Sequence, residues 1–195
     1  MRAHESLPEG YQEIYKCDMQ KDKKLSFWLN FFAALVGVAM FAIPWVLVGS
    51  PLELPTWMWF VMFGADVAYI VLHELVHGIT MKLVGTKKVK YGFTGLYAFA
   101  GSKDYYDKSA YITIALAPVV VWGIVLAIVQ CFTPASWFWV PWFVQVTNIS
   151  GAAGDAFVTG KFSKMPKDIL VTDYGVGMTV YSKQEWPRKA RDINH

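Results

Sequence analysis

Four apolar stretches of membrane-crossing length, at residues 25–48, 57–84, 109–132 and 137–158, limit what this chain can fold into more than any other feature. Stretches of about 18 or more such residues mark transmembrane helices. The whole sequence is 55% hydrophobic and 16% aromatic, above the roughly 45–50% apolar content of soluble domains. The expected fold is an α-helical integral membrane protein. It has four transmembrane helices in one compact domain over residues 25–167, and a small cytoplasmic-side β-hairpin at 86–107, between the second span and the third.

The charges between the stretches give the orientation. Lys16, Lys21, Lys23 and Lys24 precede the first stretch, Lys82, Lys87, Lys88 and Lys90 follow the second, and Lys161, Lys164 and Lys167 follow the fourth. Residues 49–55 and 133–136 carry neither lysine nor arginine. Cytoplasmic loops are enriched in these residues, so both termini and the hairpin are expected in the cytoplasm, and the expected location is the plasma membrane of a bacterium. A net charge of +3 placed this way reads as topology and gives no basic, aromatic-interleaved patch for nucleic acid. Membrane lipid is the expected surrounding partner.

Residues 1–24 form a polar leader without the apolar core of a cleavable signal peptide, so the first span is expected to act as its own insertion signal. A short helix or strand is expected within 10–17. The hairpin is expected from Val89, Tyr91 and Phe93, a turn at Gly95, and Tyr97 and Phe99, whose spacing by two is that of a strand. Its edge suits either an extended substrate or anchorage at the lipid surface. Residues 168–195 read as a polar tail with a short strand at 179–181, loosely held from Lys183. Cys17 and Cys131 fall on opposite sides of the membrane and are expected as free thiols.

Within the second stretch stands His73-Glu74-Leu75-Val76-His77. On a helix the histidines are at i and i+4, one turn apart on one face, so both imidazoles can reach one cation. Neutral imidazole is a good zinc ligand, and the adjacent carboxylate is suited to carry a proton between water and a leaving amine. Ionisable groups inside a membrane helix are costly and mark functional sites or paired clusters.

The topology supplies a third ligand. The second and fourth spans run in the same direction, and Asp155 lies at a depth similar to that of the histidines. A carboxylate oxygen is a common third ligand for catalytic zinc, which leaves a position for water, so the candidate metal ligands are His73, His77 and Asp155. Asn148, seven residues before Asp155, has two readings: a hydrogen bond to substrate or to the developing oxyanion, or an interhelical hydrogen bond. Asp66 is about 10 Å along the axis from His73, and a structural partner on another helix is expected for it.

The order of H-E-L-V-H-G, a lysine-rich hairpin, A-Y-I-T-I-A-L-A-P, N-I-S-G-A-A-G-D-A-F and K-M-P-K-D resembles the DUF3267 family of membrane zincin peptidases over about residues 25–181. More distantly it is similar to site-2 protease type intramembrane metallopeptidases. In those proteases the third ligand is an aspartate followed by glycine, after an Asn-to-Pro stretch, whereas Ala156 follows Asp155 here and no proline intervenes after Asn148. The resemblance implies a Zn²⁺-dependent hydrolase cutting a peptide or membrane-protein substrate near the cytoplasmic face, with Glu74 as general base and then general acid. Two other functions remain open, a non-catalytic scaffold and a small metal or solute transporter. A scaffold has no need of Glu74, and the paired repeats or broken helices usual in transporters are not evident.

Overall fold

The computed structural model describes residues 1–18, 21–95, 98–175 and 177–186. Three of the apolar stretches form α1 (Lys23–Val48), α2 (Thr56–Leu83) and α3 (Lys108–Phe132). Each is long and apolar enough to cross a membrane. The Asp22 carboxylate caps α1 by accepting the Leu25 N–H at 2.9 Å, satisfying one of the amides a helix start leaves free. Gly85, at φ +112°, follows the end of α2 in a conformation side chains disfavour. Large apolar side chains on these helices point outward, with Phe60 73% and Phe132 83% exposed. Such a surface is unfavourable in water but not in lipid.

Pro44 lies inside α1 and has no N–H to return to the carbonyl four residues before it. That carbonyl, on Met40, instead accepts the indole N–H of Trp142 at 2.9 Å. A gap in one helix thereby becomes a bond between two.

The fourth stretch differs from the single helix expected over 137–158. A 3₁₀ turn at Ala135–Trp137 leads into α4 (Trp139–Gly151), and a break at Ala152 separates it from α5 (Ala153–Ser163). Glycine in a helix interior costs about 1 kcal/mol relative to alanine, and Gly151 and Gly154 flank the break. Each half is shorter than the roughly 20 residues of a span. The break has a local result: Asp155 sits in the first turn of a new helix.

The leader and tail, expected as appendages, build a sheet together. Strands β1 (Ala3–His4) and β2 (Gln12–Asp18) come from the leader, β5 (Tyr105–Asp107) precedes α3, and β6 (Leu170–Asp173) and β7 (Gly177–Ser182) come from the tail. Their order is β1-β5-β6-β7-β2, antiparallel throughout. Tail residues from Pro187 onward lie outside the described residues. Ile14, Cys17, Tyr106, Val171 and Val180 of this sheet pack with Met81 of α2, Tyr111 of α3 and Phe162 of α5. Full burial of such side chains contributes about 1.5–3 kcal/mol each, which fixes the sheet on the helix ends. Both cysteines are free thiols, Cys17 buried and Cys131 exposed.

The expected hairpin is present as β3 (Lys90–Phe93) and β4 (Ala98–Gly101). Tyr97, expected in its second strand, lies outside the described residues. Tyr91 of β3 lies against Gly78 of α2, where a Cβ would come within 1.9 Å of its hydroxyl oxygen. On its other side the hairpin meets the β6–β7 turn: a Cβ on Gly101 would lie 2.6 Å from the Gly175 nitrogen and the Tyr174 carbonyl carbon. These are backbone atoms, with no flexible tip to move aside. Gly101→Ala is therefore expected to destabilise the fold by about 1–3 kcal/mol, the usual cost of overpacking, read as a lower thermal midpoint in detergent. An unchanged midpoint would mean that the end of β4 and the β6–β7 turn separate without cost.

Candidate metal centre

The regular hydrogen bonding of α2 places His73 and His77 one turn apart, their ring centroids 4.9 Å apart and their planes at 76°. Asp155 approaches from α5. Its Oδ2 is 3.6 Å from His73 Nε2 and 3.7 Å from His77 Nε2. One ligand atom from each of the three residues lies within 4.8 Å of the others. Ligands held tetrahedrally about 2.0–2.1 Å from a zinc ion are about 3.3 Å apart, so each Asp155–imidazole separation has only a few tenths of an ångström to close, while the widest separation in the group, within 4.8 Å, has further to close. Two imidazole nitrogens and a carboxylate oxygen are also a donor set zinc accepts. On both counts the residues fit the ion. A carboxylate in the first turn of α5 further benefits from the helix dipole.

The far side of each imidazole is engaged. His73 Nδ1 is 2.8 Å from the Tyr69 hydroxyl, which donates to Asn148 Oδ1 at 2.9 Å. His77 Nδ1 is 2.9 Å from the Ile114 carbonyl oxygen. Asn148 is 0% exposed, and its Nδ2 donates to the Val119 carbonyl at 3.2 Å and to Gln145 Oε1 at 3.3 Å. These are the interhelical hydrogen bonds of the second reading of Asn148. Each of its polar atoms is committed to protein, and it bears on the site through Tyr69. Thr147 of α4, on another helix, is the polar side chain beside the Asp66 carboxyl, and Asp66 Oδ1 has no hydrogen-bond partner among the described residues.

Glu74 shares a cavity of about 180 Å³ with His73, His77 and Asp155. Ala98, Phe99 and Ala100 of β4 line the same cavity, so the hairpin reaches the site itself. Tyr111 and Asp173 also line the cavity, and sequence reasoning passed over both. The Tyr111 hydroxyl donates to Asp173 Oδ2 at 2.5 Å, and the Gly175 N–H donates to Oδ1 at 2.8 Å. Burial pushes the Asp173 carboxyl above its ordinary range, while these two hydrogen bonds act the other way. The D-Y-G sequence at 173–175 signals a turn, but no local pattern says that this turn returns to α2.

The profile of the DUF3267 family, described as "Putative zincin peptidase", matches residues 66–170, more than half of the chain. A curated relative, the "Uncharacterized 24.7 kDa protein in gap 5'region" of Pyrococcus woesei, is 33% identical over 124 residues. That match covers 60% of this chain and 52% of the relative, so the chain spans about half the length of the protein it matches. No solved structure matches the chain.

Proposed function

The chain belongs to the DUF3267 family, and from that premise we propose that it is a zinc-dependent intramembrane metallopeptidase, cutting membrane-associated peptides near the cytoplasmic face. The observation that carries this reading is the convergence of His73 Nε2, His77 Nε2 and Asp155 Oδ2 beside Glu74 in one cavity.

In this proposal α4 and α5 together make a fourth crossing. Every strand joins the helices at one and the same end of the bundle, and the lysines cluster there, while the linkers at the other end carry no lysine or arginine. The positive-inside rule makes the sheet end cytoplasmic. The cavity lies just beneath the sheet, lined from above by β4 and the β6–β7 turn.

When bound, zinc supplies Lewis-acid polarisation of the scissile carbonyl and lowers the pKa of a water molecule. His73, His77 and Asp155 hold the ion. Glu74 accepts a proton from the attacking water and returns it to the leaving amine nitrogen, as a general base and then a general acid. The backbone of β4 borders the same cavity, beside which an extended peptide can lie.

The test uses full-length protein purified in detergent. About one zinc per chain is expected, as for a three-ligand catalytic site. Cleavage of a membrane-anchored reporter peptide is expected to stop on chelation and resume on addition of zinc. Zinc stoichiometry unchanged in the His73→Ala/His77→Ala double variant would refute the site.

A further inference from the structure

We propose that Pro118 on α3 and the Tyr69–Asn148 pair are positioning residues, which lock His77 and His73 with the proton on Nδ1 and the lone pair of Nε2 turned toward Asp155. The proposal deepens the metal-site reading above and rests on it for its consequence in zinc binding, but not for the tautomers themselves.

For His77 the argument starts from a gap in a helix. In α3 the carbonyl of Ile114 would normally accept the N–H of residue 118, but that residue is proline and has none. Ile114 O is the atom that lies 2.9 Å from His77 Nδ1. A carbonyl can only accept, so Nδ1 must carry the hydrogen, which leaves Nε2 bare. The α1 helix contains the same device, where Pro44 frees the Met40 carbonyl for Trp142. In α3 the freed carbonyl serves a candidate metal ligand.

For His73 the reference point is again a backbone carbonyl, reached in three steps. Val119 O can only accept, so the Asn148 atom 3.2 Å from it is the amide nitrogen. Asn148 Oδ1 therefore faces Tyr69 and takes its single hydroxyl proton at 2.9 Å. With that proton spent, the Tyr69 oxygen can only accept from His73 Nδ1, 2.8 Å away. His73 is left with the same tautomer as His77, and the two Nε2 atoms lie 3.6 and 3.7 Å from one Asp155 oxygen. Partners that fix the tautomer and orientation of ligand histidines typically contribute 10–100-fold in metal affinity.

Pro118→Ala separates this role from a structural one. Alanine restores an N–H that competes for Ile114 O, yet it removes a residue that is unfavourable inside a helix. The fold should be no less stable while the site weakens. Tyr69→Phe removes the acceptor for His73 Nδ1–H and little else in volume.

The measurement is ¹⁵N NMR of histidine-labelled, metal-free protein, taken at a pH where the spectra themselves show neutral rings, together with zinc affinity by chelator competition. Wild type is expected to show Nδ1–H for both rings. Pro118→Ala should turn His77 into a tautomer mixture with His73 unchanged, and Tyr69→Phe should do the reverse. Each should weaken zinc binding about 10–100-fold, and the thermal midpoint of Pro118→Ala should not fall. Wild-type tautomers retained in both variants, or Nε2–H tautomers in the parent protein, overturn the proposal. Tautomers that shift as described in a protein that binds no zinc would support it and refute the metallopeptidase reading instead.

Discussion

Glu74→Gln is expected to bind zinc as the parent protein does while its cleavage rate falls about 10²–10⁴-fold, the range a positioned general acid–base supplies. That range corresponds to about 2.7–5.4 kcal/mol of transition-state stabilisation. The substitution is nearly isosteric and leaves His73, His77 and Asp155 untouched. The glutamine fills the same volume in the cavity that Ala100 of β4 also lines, so the hairpin should stay in place. What is lost is the basic oxygen that takes a proton from water. A glutamine at this position costs a scaffold nothing, and a transporter using the histidines and Asp155 would keep its ion. Single-turnover cleavage of a reporter peptide, alongside zinc stoichiometry of the same preparation, separates these cases. Equal turnover with zinc bound would leave a metal site without the proposed chemistry.

How far the sequence revealed this site depends on how local each signal was. His73, Glu74 and His77 were legible because one helical turn brings them together whatever the rest of the chain does. The step to Asp155 needed only two spans running in the same direction, and its Oδ2 lies within 3.7 Å of both Nε2 atoms. The apolar helices expected at 25–48, 57–84 and 109–132 were legible to within two residues because apolar length alone decides them. The break at Ala152 was not, since Gly151 and Gly154 also permit close helix packing and their composition does not choose between the two. Asp173 and Tyr111 were out of reach for a different reason. They join the cavity only once β5, β6 and β7 pair, and residues as distant as Tyr105 and Thr172 set that register. Asn148 shows the limit of arguing from a helix face: seven residues before Asp155 in sequence, it lies across the Ala152 break and turns its amide to Tyr69 and Val119.

Asp155→Ala and Asp173→Asn are expected to part company, although both remove a carboxylate from the same cavity. Asp155 Oδ2 is the oxygen poised between the two Nε2 atoms. Asp173 faces the Tyr111 hydroxyl and the Gly175 N–H, and it is not part of the ligand group. Loss of a direct ligand should exceed the 10–100-fold effect of an orienting partner, so Asp155→Ala should weaken zinc by about 100-fold or more. The difference can be read without a substrate. A ligand at 100 times its Kd stabilises the folded state by about 2.7 kcal/mol, and at its Kd by only about 0.4 kcal/mol. At a zinc concentration 100 times the parent Kd, the parent and Asp173→Asn should therefore both gain markedly in thermal midpoint, and Asp155→Ala should gain almost nothing. Asp173→Asn offers one acceptor oxygen where the Tyr111 hydroxyl and the Gly175 N–H use two, so its zinc-free midpoint should fall while the zinc increment survives. A zinc increment lost in Asp173→Asn and kept in Asp155→Ala would move the third ligand from α5 to the β6–β7 turn, and the site would then be assembled by the sheet rather than by the helices.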